Sequence, residues 1–212
     1  MTIGDPAPPP IRKRQRRKDA RPGEIIQAGL DEFAENGFSA ARLDDVARRA
    51  GVAKGTIYRY FDNKEALFEA AVGSKVHSKQ AEIENLVDSF EGSTETLVHI
   101  VLTKLYEELV RSDAKILMRI IIAEGHRFPD LKKSYYDTVI CNGTRIISKI
   151  VKRGIDRGEF RKGPVEDLPR LIAAPTMMAA IWALTFEDLE PIDVVRHYAA
   201  LVDLLFHGLR KT

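Results

Sequence analysis

The segment "LDDVARRAGVAKGTIYRYFDNKEALFEAAV" (residues 43–72) contains short helical patterns separated by brief breaks. In the first pattern Leu43 and Val46 fall on one helical face, and Gly51 follows where a left-handed residue commonly ends a helix. After a turn of about three residues, another short helix begins near Lys54. Two short helices joined by a tight turn that contains glycine predict a helix-turn-helix unit.

The pattern stays helical on both sides of this unit. A helix over residues 22–36 precedes it and ends at Gly37, which suits the left-handed position after a helix. The next helix begins at the motif "DNKEAL", where Asp62 with Glu65 fits a capping box and Asn63 is an alternative cap. The first three helices therefore form a compact unit, and the fourth leads out of it.

The rest of the chain has apolar residues at helical spacing and no convincing alternation of period two, which predicts an all-α fold of about nine helices. Thr94 is a candidate cap for the fifth helix, and Pro175 is expected to kink a long apolar helix near the end. The fourth helix is expected to extend toward residue 90, and the later ones to span residues 95–111, 113–124, 129–153, 166–187 and 191–209.

The composition is that of an ordinary globular protein: 44% of the 212 residues are hydrophobic and 30% are charged. The single cysteine, Cys141, excludes an intramolecular disulfide and a cysteine-based zinc cluster. Residues 1–10 lack the apolar stretch of a secretory signal, and no segment approaches the roughly 18 uninterrupted apolar residues of a membrane span. We therefore expect a cytoplasmic protein without a membrane partner.

The positive charge is concentrated in the first third of the chain. Residues 1–72 contain 13 Lys and Arg against 11 Asp and Glu, whereas the two signs balance in the remainder. The run "RKRQRRK" at 12–18 carries six positive charges, and residues 42–64 carry an excess of three. Such an arrangement favours a polyanionic partner at one end of the molecule. The alternative for residues 1–20, with their prolines and basic run, is a disordered, solvated arm.

The short helix near Lys54 has two different faces. Ile57 and Phe61 lie four residues apart and are expected to point into the core. The other face offers cations, hydroxyl groups and a glycine that permits close approach, which are the groups that contact DNA phosphates and base edges. The tyrosines could instead pack on neighbouring helices. The residues of this face are Lys54, Gly55, Thr56, Tyr58, Arg59 and Tyr60.

The spacing of Ala50-Gly51-Val52, Lys54-Gly55, Tyr58, Phe61 and Lys64-Glu65 resembles the DNA-binding domain of the TetR (tetracycline repressor) family of bacterial transcriptional regulators. The resemblance implies that 54–60 is the recognition helix in the major groove, that Arg42 touches the DNA backbone, and that Lys64 contacts a phosphate at the start of the next helix. Together with the composition of residues 1–20, it divides the chain into a disordered basic arm (1–20), a DNA-binding domain (21–72) and a helical regulatory and dimerisation domain (73–212).

The chain departs from the family pattern at two positions. Family members usually carry Ser or Thr where this chain has Arg42, so a helix cap is replaced by a charge that can contact phosphate. Ala53 stands where serine is common, which removes a cap or a phosphate contact before the recognition helix. Both changes leave the binding mode intact and alter its detailed contacts.

The regulatory domain is expected to pair with its copy through the last two long helices, in a homodimer. The stretch "LIAAPTMMAAIWALTF" (171–186) is apolar on too many sides for a surface helix, and 194–209 has an apolar stripe. Burial within one subunit is the alternative. Methionine and aromatic side chains here can line an effector pocket or simply pack in the core. The pocket candidates are Met118, Phe128, Tyr135, Met177, Met178 and Trp182.

Nothing in the sequence indicates an enzyme. The five histidines form no metal-binding motif, and there is no nucleophile motif, phosphate-binding loop or carboxylate pair. We therefore expect a homodimeric regulator that binds a palindromic double-stranded DNA operator and responds to a small-molecule effector, most often as a repressor in this family. An activator of the same fold and a non-specific architectural DNA-binding protein are the alternatives. No cofactor and no metal are expected.

Overall fold

The computed structural model describes residues 22–209, and no strand occurs among them. The basic arm at 12–18 lies outside the described residues. The α-helices are α1 Pro22–Asn36, α2 Leu43–Arg49, α3 Lys54–Ile57, α4 Lys64–Val72, α5 Ser78–Ser89, α6 Thr94–Tyr106, α7 Ala114–Glu124, α8 Pro129–Tyr135, α9 Asn142–Asp156, α10 Ala174–Thr185 and α11 Val194–Leu209.

Three π-helical segments connect or extend these elements. Gly73–His77 joins α4 to α5, Glu107–Arg111 extends α6, and Tyr136–Cys141 joins α8 to α9. Residues 22–209 thus form nine continuous helices, as the periodicity predicts. No helix in this range combines the length and hydropathy needed to cross a membrane.

Two glycines end the first two helices as predicted. Gly37 follows α1 with φ of 75° and Gly51 follows α2 with φ of 67°, both in the left-handed region where a side chain is strained. A third glycine, Gly29, brings α1 close to α4, because a Cβ atom there would lie 2.7 Å from a methyl carbon of Leu67. Gly37 and Gly51 thus permit the turns after α1 and α2, and Gly29 permits the close approach of α1 and α4.

The structure decides between the two candidate caps of α4 and corrects the expected cap of α6. Asn63, rather than Asp62, caps α4: its side chain accepts a hydrogen bond of 2.8 Å from the Ala66 amide. Ser93, rather than Thr94, caps α6, by accepting from the Thr96 amide at 3.1 Å. Such a cap contributes about 1 kcal/mol by satisfying an amide that the helix leaves without a partner.

The expected helix over 166–187 is wrong in its first part. Two 3₁₀ turns, Pro164–Glu166 and Pro169–Ile172, precede α10, which begins only at Ala174. Pro175 therefore lies in the first turn of a helix and does not kink one. A proline is tolerated there because the first amides of a helix have no carbonyl partner four residues earlier.

The buried residues form three clusters. The first joins the N-terminal helices to α7 and α8, with Phe38 in contact with Phe33, Phe68 and Phe128. The second lies between α5, α6, α9 and α11, and the third between the end of α6, α7 and α10. Because the first cluster contains residues on both sides of residue 72, the two parts predicted from the sequence share one core. The division at that residue stays a prediction.

Candidate nucleic-acid interface

The helix predicted over 54–60 is shorter in the structure. Lys54–Ile57 is α-helical, and residues 58–60 form a turn in which the Tyr60 amide donates to the Ile57 carbonyl at 3.0 Å. Ile57 is fully buried and Phe61 is nearly so, which anchors both ends of the turn in the first cluster. We call residues 54–60 the recognition corner. Its outward side chains are held in place because Ile57 and Phe61 fix the backbone to the core.

Both tyrosines of the recognition corner reach solvent. Tyr58 is 44% exposed and Tyr60 is 40% exposed, which is not the burial of tyrosines packed between helices. The Arg59 guanidinium lies 5.1 Å from the centre of the Tyr60 ring and donates to its hydroxyl at 3.3 Å. A Cβ atom added at Gly55 would meet nothing within 4 Å, so a partner can approach this backbone closely. The corner thus presents one cationic, aromatic face.

Lys54 is paired inside this face. Its ammonium lies 2.8 Å from a carboxylate oxygen of Asp44 on α2. The hydrogen bond from Lys54 lowers the pKa of Asp44, and the Tyr58 hydroxyl lowers it further, while Asp44 raises the pKa of Lys54. Both side chains are largely exposed, so the pair positions the groups more than it stabilises the fold. The sequence analysis did not identify Asp44, because an acidic residue on an exposed helix face gives no sign of its partner.

Arg49 contributes to the packing of α2 on α1 and not to the exposed face of the recognition corner. It bridges to Glu35 and, at 3.2 Å, to Glu32, a buried carboxylate on α1. The hydrogen bond from Arg49 lowers the pKa of Glu35 in turn. Arg42 and Arg59 make no ion pair with a carboxylate within residues 22–209, and both are exposed. Within the helix-turn-helix unit (residues 22–72), these two guanidinium groups are therefore available to a polyanion.

The two helix starts in this unit lack a side-chain cap, as the sequence predicts. Arg42 and Ala53 occupy the positions before α2 and α3, and neither side chain bonds the helix amides. α2 and α3 are therefore held by packing and by the loops that lead into them.

Lys64 is half-buried and contacts the loop between α1 and α2. Its ammonium donates to the carbonyls of Phe38 and Ser39, at 2.7 Å each, and lies 4.9 Å from the centre of the Phe38 ring. Two of its three hydrogens are thus used inside the protein, against the loop between α1 and α2. The fold therefore gives this lysine internal partners that its sequence position did not indicate, and its contact with a DNA phosphate stays a prediction.

Four of the six candidate pocket residues are divided between two clusters, and a role for the six in an effector pocket stays a prediction. Phe128 and Tyr135 pack in the first cluster, where burial raises the pKa of Tyr135 to about 12, whereas Met118 and Met177 belong to the third cluster. Met178 is 51% exposed. The Trp182 ring nitrogen donates to the Glu190 carbonyl at 2.8 Å.

A different set of side chains surrounds an apolar cavity between α6 and α9. The cavity has a volume of only about 20 Å³, and no polar atom faces it. Periodicity could have indicated these residues as core but not as a lining, since both roles need the same aliphatic side chains. They are Val98, Val101, Leu102, Leu105, Ile147, Ile150 and Ile172.

Large apolar side chains are exposed along the last two helices and the loop between them. The described residues leave these side chains uncovered, and we call them together the apolar surface of α10 and α11. Its members are Met178, Ile181, Phe186, Leu189, Val195 and Leu204.

Comparison with known families assigns both parts of the chain. The family model described as "Bacterial regulatory proteins, tetR family" matches residues 25–71, which include the recognition corner. The model described as "Tetracyclin repressor-like, C-terminal domain" matches residues 91–204, more than half of the chain. The chain belongs to the TetR family. It is therefore a DNA-binding regulator of transcription.

The relatives of this TetR-family chain are regulators. It is 25% identical over 192 residues to the fatty acid metabolism regulator protein of Bacillus subtilis, which covers 89% of this chain and 95% of the relative. It is 25% identical over 186 residues to the transcriptional repressor KstR2 of Mycobacterium tuberculosis, covering 87% and 92% of the two chains.

Solved structures of the TetR family share the fold. The FadR regulator of Bacillus subtilis in complex with stearoyl-CoA superposes with a TM-score of 0.73 at 23% identity, over 89% of this chain and 99% of that one. The FadR regulator of Bacillus halodurans gives a TM-score of 0.76 at 21% identity, over 90% and 97%. At these identities the likeness concerns the fold alone.

Proposed function

We propose that this chain is a homodimeric repressor that places its recognition corner in the major groove of a palindromic operator. The observation that carries the proposal is the exposed face of Tyr58, Arg59 and Tyr60 on a base anchored by Ile57 and Phe61. Lys54, Gly55 and Thr56 complete the face toward base edges, and Arg42 contacts the backbone at the start of α2.

The partner on the apolar surface of α10 and α11 is a second copy of the chain. Two copies related by a twofold axis bury this surface in a four-helix bundle and present two recognition corners to one duplex. The half-sites then lie about one helical turn of DNA apart, or a multiple of it. Residues 21–72 act as the DNA-binding domain and residues 73–212 as the regulatory and dimerisation domain.

The effector is a compound with a long apolar chain, such as an acyl thioester. Aliphatic side chains alone line the cavity between α6 and α9. Its volume of about 20 Å³ is far below the range of about 300–1,000 Å³ for ligand pockets, so an acyl chain has to push the walls apart to enter. The similarity to a fatty acid metabolism regulator of Bacillus subtilis, and to the FadR regulator of that organism in complex with stearoyl-CoA, supports the same ligand class.

Repression then depends on which conformation the effector prefers. An acyl chain that separates α6 from α9 binds the widened conformation more tightly, and it weakens operator binding if that conformation spaces the recognition corners wrongly. A coupling of about 1–3 kcal/mol is usual for such switches.

The test is selection of bound sequences from random double-stranded DNA by the full-length protein, followed by titration with a long-chain acyl-CoA. We expect a palindromic sequence to be enriched, and its affinity to fall on addition of acyl-CoA but not of free CoA. Enrichment of no sequence would indicate a non-specific architectural protein. Tighter binding with acyl-CoA would contradict the proposed direction of the response.

A further inference from the structure

The loop between α1 and α2 is held by a carboxylate from the regulatory part of the chain. Glu124, at the end of α7, accepts hydrogen bonds from the amides of Phe38 at 2.8 Å and Ser39 at 2.9 Å. The Ser39 hydroxyl donates to the same carboxylate. Arg127 donates to that hydroxyl at 2.9 Å. Two residues of the loop, Phe38 and Ser39, therefore form four hydrogen bonds with the side chains of Glu124 and Arg127.

Lys64 holds the same two residues from the other side. It donates to the carbonyls of Phe38 and Ser39, so the amides of this pair are satisfied by Glu124 and the carbonyls by Lys64. The Phe38 side chain is fully buried among three other phenylalanines. The loop has little conformational freedom, because the backbone groups of both residues are hydrogen-bonded and the Phe38 side chain is buried.

The Glu124 carboxylate is charged at neutral pH. Burial raises the pKa of Glu124, but the hydrogen bonds from the Ser39 hydroxyl and from the Phe38 and Ser39 amides, with the charge of Arg127, outweigh it and lower the pKa overall. Hydrogen bonds to an ionised acceptor are roughly twice as strong as those between neutral groups. The contact is therefore stronger than an ordinary loop hydrogen bond.

This contact matters for α2 because that helix has no cap of its own. Arg42 precedes α2 without a side-chain bond to its amides, so the approach of the chain through Phe38 and Ser39 sets where the helix begins. α7 also reaches α1 at two earlier points. Arg119 donates to the Ala34 carbonyl, and Gln27 donates to Asp113 at 2.9 Å. α7 is thus attached to the DNA-binding part along its whole length.

We propose that Glu124 is a positioning residue for operator binding: it fixes the loop at Phe38 and Ser39, and through that loop α2 and the recognition corner. A displacement of α7 in the regulatory part is passed to the DNA-binding part at this carboxylate. The proposal rests on the proposed function of the recognition corner. It adds a residue outside the helix-turn-helix unit on which affinity depends.

The experiment compares Glu124→Ala and Glu124→Gln with the control Glu159→Ala in the full-length protein. Glu159 is matched because it too accepts a hydrogen bond from the backbone amide of a residue distant in the chain, Thr94. Burial raises the pKa of Glu159, but its hydrogen bonds outweigh this and lower the pKa overall, as they do for Glu124. It lies at the other end of the regulatory part, in contact with α6. Each variant is measured for affinity to the selected operator and for hydrogen exchange of individual amides.

We expect Glu124→Ala to speed hydrogen exchange at the Phe38 and Ser39 amides, because these amides lose their acceptor. Operator binding should weaken by about tenfold, because the freed loop then has to be ordered when DNA binds. Glu124→Gln keeps the shape and one acceptor, so it should recover part of the affinity. Glu159→Ala should speed exchange at Thr94 and change operator affinity by less than about twofold. If Glu124→Ala does not fold, Ser39→Ala removes only the hydroxyl bonds and should weaken binding in the same direction.

The experiment distinguishes a failure of the proposed function from a failure of the role proposed for Glu124. If the unsubstituted protein enriches no DNA sequence, the proposed function is wrong and the role of Glu124 in it falls as well. If an operator is enriched but the Glu124 variants bind it as well as Glu159→Ala does, Glu124 is a structural residue only and the proposed function stands.

Discussion

Lys54 and Asp44 form an ion pair across the helix-turn-helix unit, with 2.8 Å between the ammonium nitrogen and a carboxylate oxygen. One partner lies on α3 and the other on α2, so the pair joins the two helices at the face proposed to meet DNA. A carboxylate here repels phosphate, and at the same time it holds Lys54 in one place. We therefore expect Asp44 to favour selective over general DNA binding.

Replacing Asp44 tests this expectation. Asp44→Asn removes a negative charge and frees Lys54, so affinity for random DNA should rise by about threefold while the preference for the operator falls. Asp45→Asn is the matched control, because Asp45 lies next to it on α2 and pairs with Arg48 instead. Binding to both DNAs over a range of salt concentrations measures the effect. An equal change for the two variants would contradict a specific role for Asp44.

Tyr58 should contribute to operator affinity but not to the stability of the fold. Tyr58→Ala removes an exposed side chain from the recognition corner, so operator binding should weaken by roughly tenfold while the thermal unfolding midpoint stays unchanged. Tyr136→Ala is the control, since Tyr136 is 53% exposed in the regulatory part. Fluorescence anisotropy with the selected operator compares them. Undiminished binding by Tyr58→Ala would count against the recognition corner.

Dimer formation should depend on the apolar surface of α10 and α11. Leu204 is 75% exposed on α11, and Leu204→Glu would place a charge where two copies are proposed to meet. We expect sedimentation equilibrium to show monomers, with loss of operator affinity because each half-site is then bound alone. Ile122→Glu, at an exposed position on α7, should remain dimeric. A dimeric Leu204→Glu would place the interface elsewhere.

Filling the apolar cavity should separate effector response from DNA binding. Val101→Phe adds volume next to Leu102 and Ile150, so an acyl chain no longer fits. Acyl-CoA should then fail to release the operator, while operator affinity without acyl-CoA is retained. Overpacking costs about 1–3 kcal/mol, which thermal unfolding measures. Ile122→Phe is the surface control, and an unchanged response in Val101→Phe would exclude this cavity as the effector site.

Acid should weaken the contact between α5 and α9. Arg145 and Lys149 bond Glu84 and lower its pKa from 4.5 to about 2. Because the pKa is lower in the folded state, the stabilisation is complete above pH 4.5 and is lost as the pH falls toward 2. Lys149→Met should therefore flatten the dependence of stability on pH in this range. Urea unfolding at several pH values measures this, and Lys152→Met, which removes an exposed pair with Asp156, should leave the slope unchanged.

The sequence predicted the order, number and ends of most helices because these depend on local chemistry. Apolar spacing identifies a helix, and a glycine that tolerates a left-handed conformation ends it, as Gly37 and Gly51 do. Pro175 shows the limit of this reasoning. Proline is excluded from a helix interior but accepted in its first turn, and the sequence did not reveal that two 3₁₀ turns come before it.

By itself, then, the sequence determined the all-α fold and the face of the recognition corner, since both follow from residues a few positions apart. Only the tertiary structure decided which charges act on which partners. Asp44 meets Lys54, Lys64 turns inward to Phe38, and Glu124 reaches Ser39 across a separation of 85 residues. The physical reason is that such pairings depend on how whole helices pack, and the periodicity of one helix contains no information about the side chains of another.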